Sequence, residues 1–150
     1  MKRLLTAPAL PLMFAIIPLM AAGSLRAQTP AAATAITVTF DTAGKSGVVM
    51  AALYDEAAYA ERGAPLQRER ADAADGAARI AFPAVSPGRY AVKAFLDVNG
   101  DGKLNRNPFG MPTEPFGFSN GAVPRMGEPG WDEAGFDAPA GAVAHAIALR

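Results

Sequence analysis

The chain has 150 residues, with 14 basic and 14 acidic side chains, one His and no Cys. The lack of Cys excludes disulfides, thiolate metal sites, cysteine nucleophiles and a lipidated N-terminal Cys, and a single His excludes a multi-histidine metal centre. A formal charge of zero gives no electrostatic case for binding nucleic acid, and the length fits one domain.

The first segment reads as an export signal. Lys2 and Arg3 form a positive start, residues 4–22 are apolar, and small residues follow at Gly23, Ser24 and Ala27. The apolar run approaches the ~20 residues that a membrane anchor needs, but Pro8, Pro11 and Pro18 interrupt it. We expect residues 1–27 to be a signal peptide cleaved after Ala27, with cleavage after Gly23 as the alternative. Residues 28–35 read as an Ala-, Thr- and Pro-rich linker, and 36–150 as one domain. The expected location is periplasmic or secreted, with no stable membrane anchor after cleavage. Without Lys2, Arg3 and Arg26, residues 28–150 carry 11 basic against 14 acidic side chains, a formal charge of −3. An exported chain without disulfides depends on packing or a metal for stability.

Short strands follow. Residues 36–40 alternate apolar and polar, the mark of a half-buried strand. Residues 48–54 are apolar on both faces. Asp55 suits the cap of a short helix over 56–62, ended by Gly63. Residues 66–72 form a polar, edge-like strand whose alternating charges at 67–70 discourage sheet-to-sheet aggregation. Asp75-Gly76 signals a hairpin that returns as a strand over 78–82. Ser86-Pro87-Gly88 suits a type II turn, with Gly at the positive-φ position. A strand over 89–97 then places Tyr90, Val92, Ala94 and Leu96 on one face, and residues 143–149 give the last strand. The pattern predicts an all-β, antiparallel β-sandwich of about seven strands, immunoglobulin-like or prealbumin-like.

Residues 98–130 break the rhythm, with seven Gly and five Pro. Structureless loops beyond about 12–15 residues are uncommon in compact domains. Leu104, Phe109, Met111, Phe116 and Phe118 argue for an ordered loop packed on one end or face of the sandwich. It begins with Asp97-Val-Asn99-Gly-Asp101-Gly-Lys103-Leu-Asn105, the first nine positions of an EF-hand type calcium loop. Asp97, Asn99 and Asp101 offer side-chain oxygens, Lys103 a carbonyl, and Gly102 the sharp turn. Pro108 occupies the twelfth position, so the usual bidentate Glu is missing, and Asn105, Glu114 and, for a further oxygen, Asn107 are the residues available to complete the shell. Few formal anions imply weak Ca²⁺ affinity, on the order of 10⁻⁴ to 10⁻³ M. The alternative is an Asx-rich turn closed by its own hydrogen bonds.

Gly117-Phe-Ser119-Asn-Gly121 fits a nucleophile elbow in spelling, with Asp132 or Asp137 and then His145 downstream. Such an elbow needs a strand running into a long helix, and Pro124 forbids one. His145 reads as a satisfied or edge-facing strand residue, and Trp131 and Phe136 as core or lid packing. Asp132 and Glu133 are adjacent and do not by themselves form a glycosidase carboxylate pair.

Several segments in order carry a family resemblance: residues 47–55, Ser86-Pro-Gly-Arg-Tyr-Ala-Val92 into 97–104, residues 110–120, and Trp131-Asp-Glu-Ala-Gly-Phe136. The chain resembles the exported bacterial family called domain of unknown function 2141. That family often has Asp where this chain has Asn105. The resemblance implies fold and location but no activity. The expected function is a non-enzymatic envelope module that binds an envelope protein, a glycan or a small ligand, with Ca²⁺ stabilising the loop. A small hydrolase using the loop at 97–130 and a purely structural sandwich without metal are the alternatives.

Overall fold

The computed structural model describes residues 33–150. The expected signal peptide and residues 28–32 of the expected linker lie outside the described residues. Among the described residues, no helix is long and apolar enough to cross a membrane.

Two sheets face each other. The first has the order β4–β1–β8, built from β1 (Thr34–Asp41), β4 (Ala77–Val85) and β8 (Gly141–Ala148). The second has the order β3–β2–β5–β6, built from β2 (Gly47–Tyr54), β3 (Gln67–Ala73), β5 (Gly88–Asp97) and β6 (Phe116–Phe118). A further short strand, β7 (Phe136–Ala138), pairs with the start of β5. The all-β sandwich read from the sequence is therefore the observed fold, with eight strands, two of them of three residues. Pairing is antiparallel throughout, except that β1 and β8 run parallel in unbroken register from Thr34↔Gly141 to Asp41↔Ala148.

The core follows from strand alternation. Ile36, Val38 and Phe40 of β1, Ile80 and Phe82 of β4, and Ile147 of β8 meet Val49 and Leu53 of β2 and Val92 and Leu96 of β5. Tyr90, Val92, Ala94 and Leu96 do share one buried face. Each fully buried aliphatic or aromatic side chain contributes roughly 1.5–3 kcal/mol by leaving water, and in a chain without cysteine this packing replaces covalent staples.

The turns differ in part from expectation. The Asp75-Gly76 hairpin has positive φ at both residues (52° and 80°), as a tight two-residue turn requires. Asp55 caps the short helix α1 (Glu56–Ala60), its carboxylate accepting from Ala58 N at 2.9 Å. At Ser86-Pro87-Gly88, however, Gly88 is not left-handed. It already belongs to β5, where a Cβ would stand 3.4 Å from the Tyr90 hydroxyl. The left-handed residue is Ala84 (φ 55°), where β4 bulges between its pairings with Thr34 and Ile36. The Tyr90 hydroxyl donates to the Ser86 carbonyl at 2.6 Å and ties the corner from above. β1 also starts two residues earlier than the expected linker boundary. Thr34 is fully buried, and its hydroxyl donates to the Pro139 carbonyl.

The stretch at 98–130 is ordered. It contains β6 and a 3₁₀ turn (Ser119–Gly121), and it is followed by a one-turn helix, α2 (Trp131–Ala134). β6 and β7 share one edge of β5: β6 pairs with Lys93 to Phe95, and β7 with Gly88 to Tyr90. β6 is drawn tightly against β8, so a Cβ on Gly117 would sit 2.6 Å from the Ala148 carbonyl oxygen. Only glycine fits there.

Candidate functional site: a groove and its acidic wall

The second sheet has an outer face as well as a core face. Residues of β5 that point away from the core are Ala91, Lys93, Phe95 and Asp97. Strand register aligns them in rows. Arg68, Ala52, Lys93 and Phe118 form one row, and Arg70, Met50, Phe95 and Phe116 form the next. The apolar character of β2 on both faces was the sequence signal that this face, too, is covered. What covers it is the long stretch after β5. Between the two lies a groove of about 780 Å³.

Met50, Ala52, Phe95 and Phe116 form the floor of the groove. Leu104, Met111 and Pro112 line one wall, and Pro124 and Glu128 the other. Arg62, Arg68 and Arg106 also line it, and all three are exposed. Sequence reasoning did not bring these residues together, because only register and loop packing do so.

Lys93 anchors the wall that carries Glu128. Its ammonium lies 2.7 Å from Glu128 Oε2, and 4.8 and 4.3 Å from the ring centres of Tyr54 and Tyr59. Aromatic faces attract such a cation by about 0.5–2 kcal/mol each, depending on desolvation. The Tyr59 hydroxyl donates to the Pro129 carbonyl at 2.9 Å. Burial, reinforced by Glu128, Glu133 and Tyr54, pushes its pKa up to about 12. Tyr59 is therefore a neutral donor at any physiological pH. Trp131 packs on Tyr59 at 5.7 Å between ring centres, which matches the packing role read from the sequence.

The acidic loop forms part of the opposite wall, since Gly102 and Leu104 line the groove. Asp97 is 4% exposed. Its Oδ1 accepts from Gly100 N and Asp101 N, and its Oδ2 from Gly102 N at 2.7 Å. Gly100 and Gly102 both take positive φ (79° and 73°), and this curls the backbone around the carboxylate. Asn99 Oδ1 accepts from Asp101 N. Asp101 accepts from Lys103 N through Oδ1, and from the side-chain amides of Asn99 and Asn105 through Oδ2. The hydrogen bond from Asn105 is the leading cause that holds the Asp101 carboxyl below its ordinary pKa, followed by that from Lys103 N.

Glu114 does fold back onto this loop. It is 8% exposed, with Oε1 accepting from Val98 N and Oε2 from Asn105 N, both at 2.9 Å. Asn107 is used elsewhere, its Oδ1 accepting from Phe109 N and Met111 N in the next turn. Among the described residues, no group of three or more His, Cys, Asp or Glu side chains is gathered as a metal site. The loop's oxygens come from two aspartates, asparagine amides and backbone carbonyls. One of them is unusual: Asn105 Oδ1 is buried and has no hydrogen-bond partner.

Ser119 is not an exposed nucleophile. It is fully buried, accepts from Val92 N at 2.8 Å and donates to the Ala134 carbonyl at 2.6 Å. Its hydroxyl fills the gap on the edge of β5 between β6 and β7, standing in for a strand residue. His145 bonds elsewhere. Its Nε2 accepts from Asn120 N at 2.8 Å, and its ring stacks on Phe136 at 4.5 Å.

Two outcomes follow from this geometry. Ser119→Ala leaves Val92 N and the Ala134 carbonyl without partners, which costs about 1–3 kcal/mol for an unsatisfied buried donor; urea unfolding measures the loss. Burial lowers the His145 pKa from 6.5, and a ring that accepts at Nε2 must be neutral there. The unfolded state then binds more protons below about pH 6.5, so stability falls as pH drops through that value and levels off below the folded pKa. Because His145 is the single His of the chain, His145→Gln should flatten the stability profile just below about pH 6.5. An unchanged slope in that variant would assign it to other groups.

No curated protein and no solved structure matches the chain. A profile described as an uncharacterised protein conserved in bacteria, the domain of unknown function 2141, matches residues 29–145. That match takes in every strand from β1 to β7 and the first five residues of β8, and the chain belongs to this family.

Proposed function

We propose that this is an exported, non-enzymatic β-sandwich module that binds a small ligand in the groove on the outer face of its second sheet, and that Ca²⁺ is held weakly by the acidic wall. The observation that carries the reading is the groove itself. Its volume of about 780 Å³ falls within the roughly 300–1,000 Å³ of small-molecule sites. Its apolar floor and few charged groups also have the composition of such sites. The export signal read at residues 1–27 supplies the location. The burial of Ser119, with both of its hydrogen-bonding directions spent, weighs against the hydrolase alternative.

The metal part rests on the loop. Asp97, Asn99, Asp101, the Lys103 carbonyl, Asn105 and Glu114 would supply oxygens, as expected for a hard cation. The partnerless Asn105 Oδ1 supports this reading. Rotating that amide by a half-turn would turn its oxygen toward the Asp101 carboxylate, so the orphan is an oxygen and not a nitrogen. A cation is a partner for it that the loop's own donors do not supply.

Both parts are testable on the purified protein. A neutral apolar fluorophore, N-phenyl-1-naphthylamine, should bind one site on the native protein and brighten. Met50→Arg, which plants a cation in the floor, should abolish that signal without lowering the melting temperature. An absence of one-site binding by the native protein would remove the groove as the site. Calcium, at about 10 mM against a Kd of about 10⁻⁴ to 10⁻³ M, should add roughly 1.4–2.7 kcal/mol. The melting temperature should then rise by roughly 5–10 °C over the value in EDTA. Magnesium should fail to reproduce the rise, and Asp101→Ala should lose it. No calcium shift would leave the wall as a turn closed by its own hydrogen bonds.

A further inference from the structure

We infer that the ligand of this groove is an anionic amphiphile, with its apolar body on the Met50, Phe95 and Phe116 floor and its carboxylate or phosphate head at a rim of Arg62, Arg68 and Arg106. The inference rests on the groove being the binding site. It adds the chemistry of the occupant, and charge complementarity carries it.

The cations of the groove divide into two kinds. Lys93 is already neutralised by Glu128 and held against two tyrosine rings, with its side chain only 17% exposed. It is part of the wall and offers little to a ligand. The three arginines are different. The ion pairs found among the described residues are Arg89 with Asp132 and Lys93 with Glu128, so none of the three has a carboxylate partner. Arg106 spends one donor on the Gly110 carbonyl at 2.8 Å, a bond that fixes its direction. Arg68 stands in register with Ala52 on the floor side of the sheet. Glu69 is the other carboxylate that lines the groove, but it stands in register with Ala51, whose side chain faces the core, while Asp97 and Asp101 of the acidic wall accept from amides of their own loop. Alternation therefore sends Glu69 from the other face of β3. Guanidinium forks match carboxylate and phosphate oxygens in a bidentate fashion, and three of them around an apolar slot favour a head of negative charge.

The lips of the groove match the apolar half of the ligand. Phe109 is 90% exposed, and Met111, Val123 and Met126 are also exposed. Phe109 and Met111 stand on the turn that contributes Gly110 and Met111 to the groove. Val123 and Met126 flank Pro124 and Gly127 on the other side. Met111 lines the groove itself, and Phe109, Val123 and Met126 are each next in the chain to a residue that does. An alkyl or aryl body longer than the floor would cover them.

The test compares heads on a constant chain. Dodecanoate and dodecyltrimethylammonium are titrated, below micelle formation, into the purified full-length protein by calorimetry. The expected result is one site for dodecanoate, with at least tenfold tighter binding than the cationic compound. The double variant Arg68→Gln/Arg106→Gln should retain the melting temperature, since both residues are exposed, and should lose that preference. Phenylnaphthylamine should still bind this variant. Equal affinity for the two heads would overturn the anionic inference while leaving the groove as a binding site. Failure of both dodecyl compounds and of phenylnaphthylamine would overturn the inference together with the reading beneath it. Sedimentation with phosphatidylglycerol vesicles, but no binding of monomeric dodecanoate, would replace the proposal with docking on an anionic membrane surface.

Discussion

The two-residue period of β5 is the constraint on which the rest of the molecule depends. Its even positions, Tyr90 to Leu96, close the core against the first sheet. Its odd positions carry Ala91 under the helices, Lys93 and Phe95 in the groove, and Asp97 at the root of the acidic loop. One strand thus lays down the core, the floor and the start of a wall. A slip of one residue would exchange all of them at once. The edge of β5 is guarded accordingly. Two three-residue strands, one serine hydroxyl and the Pro115 carbonyl, which accepts from Leu96 N, satisfy it between them.

The long strands were legible because they bury one face. Ile36, Val38 and Phe40 alternate with polar residues, and the Asp75-Gly76 turn names its own geometry. The shorter elements were not. β6 and β7 have three residues each and α2 has four, too few for a period of two or 3.6 to repeat. Pro87-Gly88 misled for a related reason. A turn signal describes what the dipeptide permits, and here Gly88 is taken into the ladder, paired with Ala138 of β7. At the site, the acidic loop could be read because its ligands are contiguous. The groove could not, because Arg68, Lys93 and Phe118 lie far apart in sequence and become neighbours only through register. Ser119 is the converse case, where the spelling of a nucleophile conceals a structural plug.

The acidic loop illustrates how one arrangement serves two ends. Curling the backbone so that three amides reach Asp97 also brings the side chains at alternate positions toward one another. Glu114 then clamps both ends of the curl, through Val98 N and Asn105 N. The wall is accordingly shaped by the chain's own donors, and a cation would reinforce a form that already exists. That economy suits a wall whose Leu104 must stay in place against an apolar floor.

The parallel pairing of β1 with β8 has a mechanical consequence. Thr34, the first residue of β1, and Ala148, the last of β8, stand at opposite ends of that ladder. Tension applied through both would run along the strands, so the whole ladder from Thr34 to Ala148 would be loaded in shear, together with the Leu149 N bond to Asp41. Hydrogen bonds sheared together must fail together, whereas those of a hairpin can be peeled one at a time. The groove is not insulated from this line of force, because Arg150, just past the end of the ladder, exchanges both of its backbone hydrogen bonds with Phe116 of the groove floor.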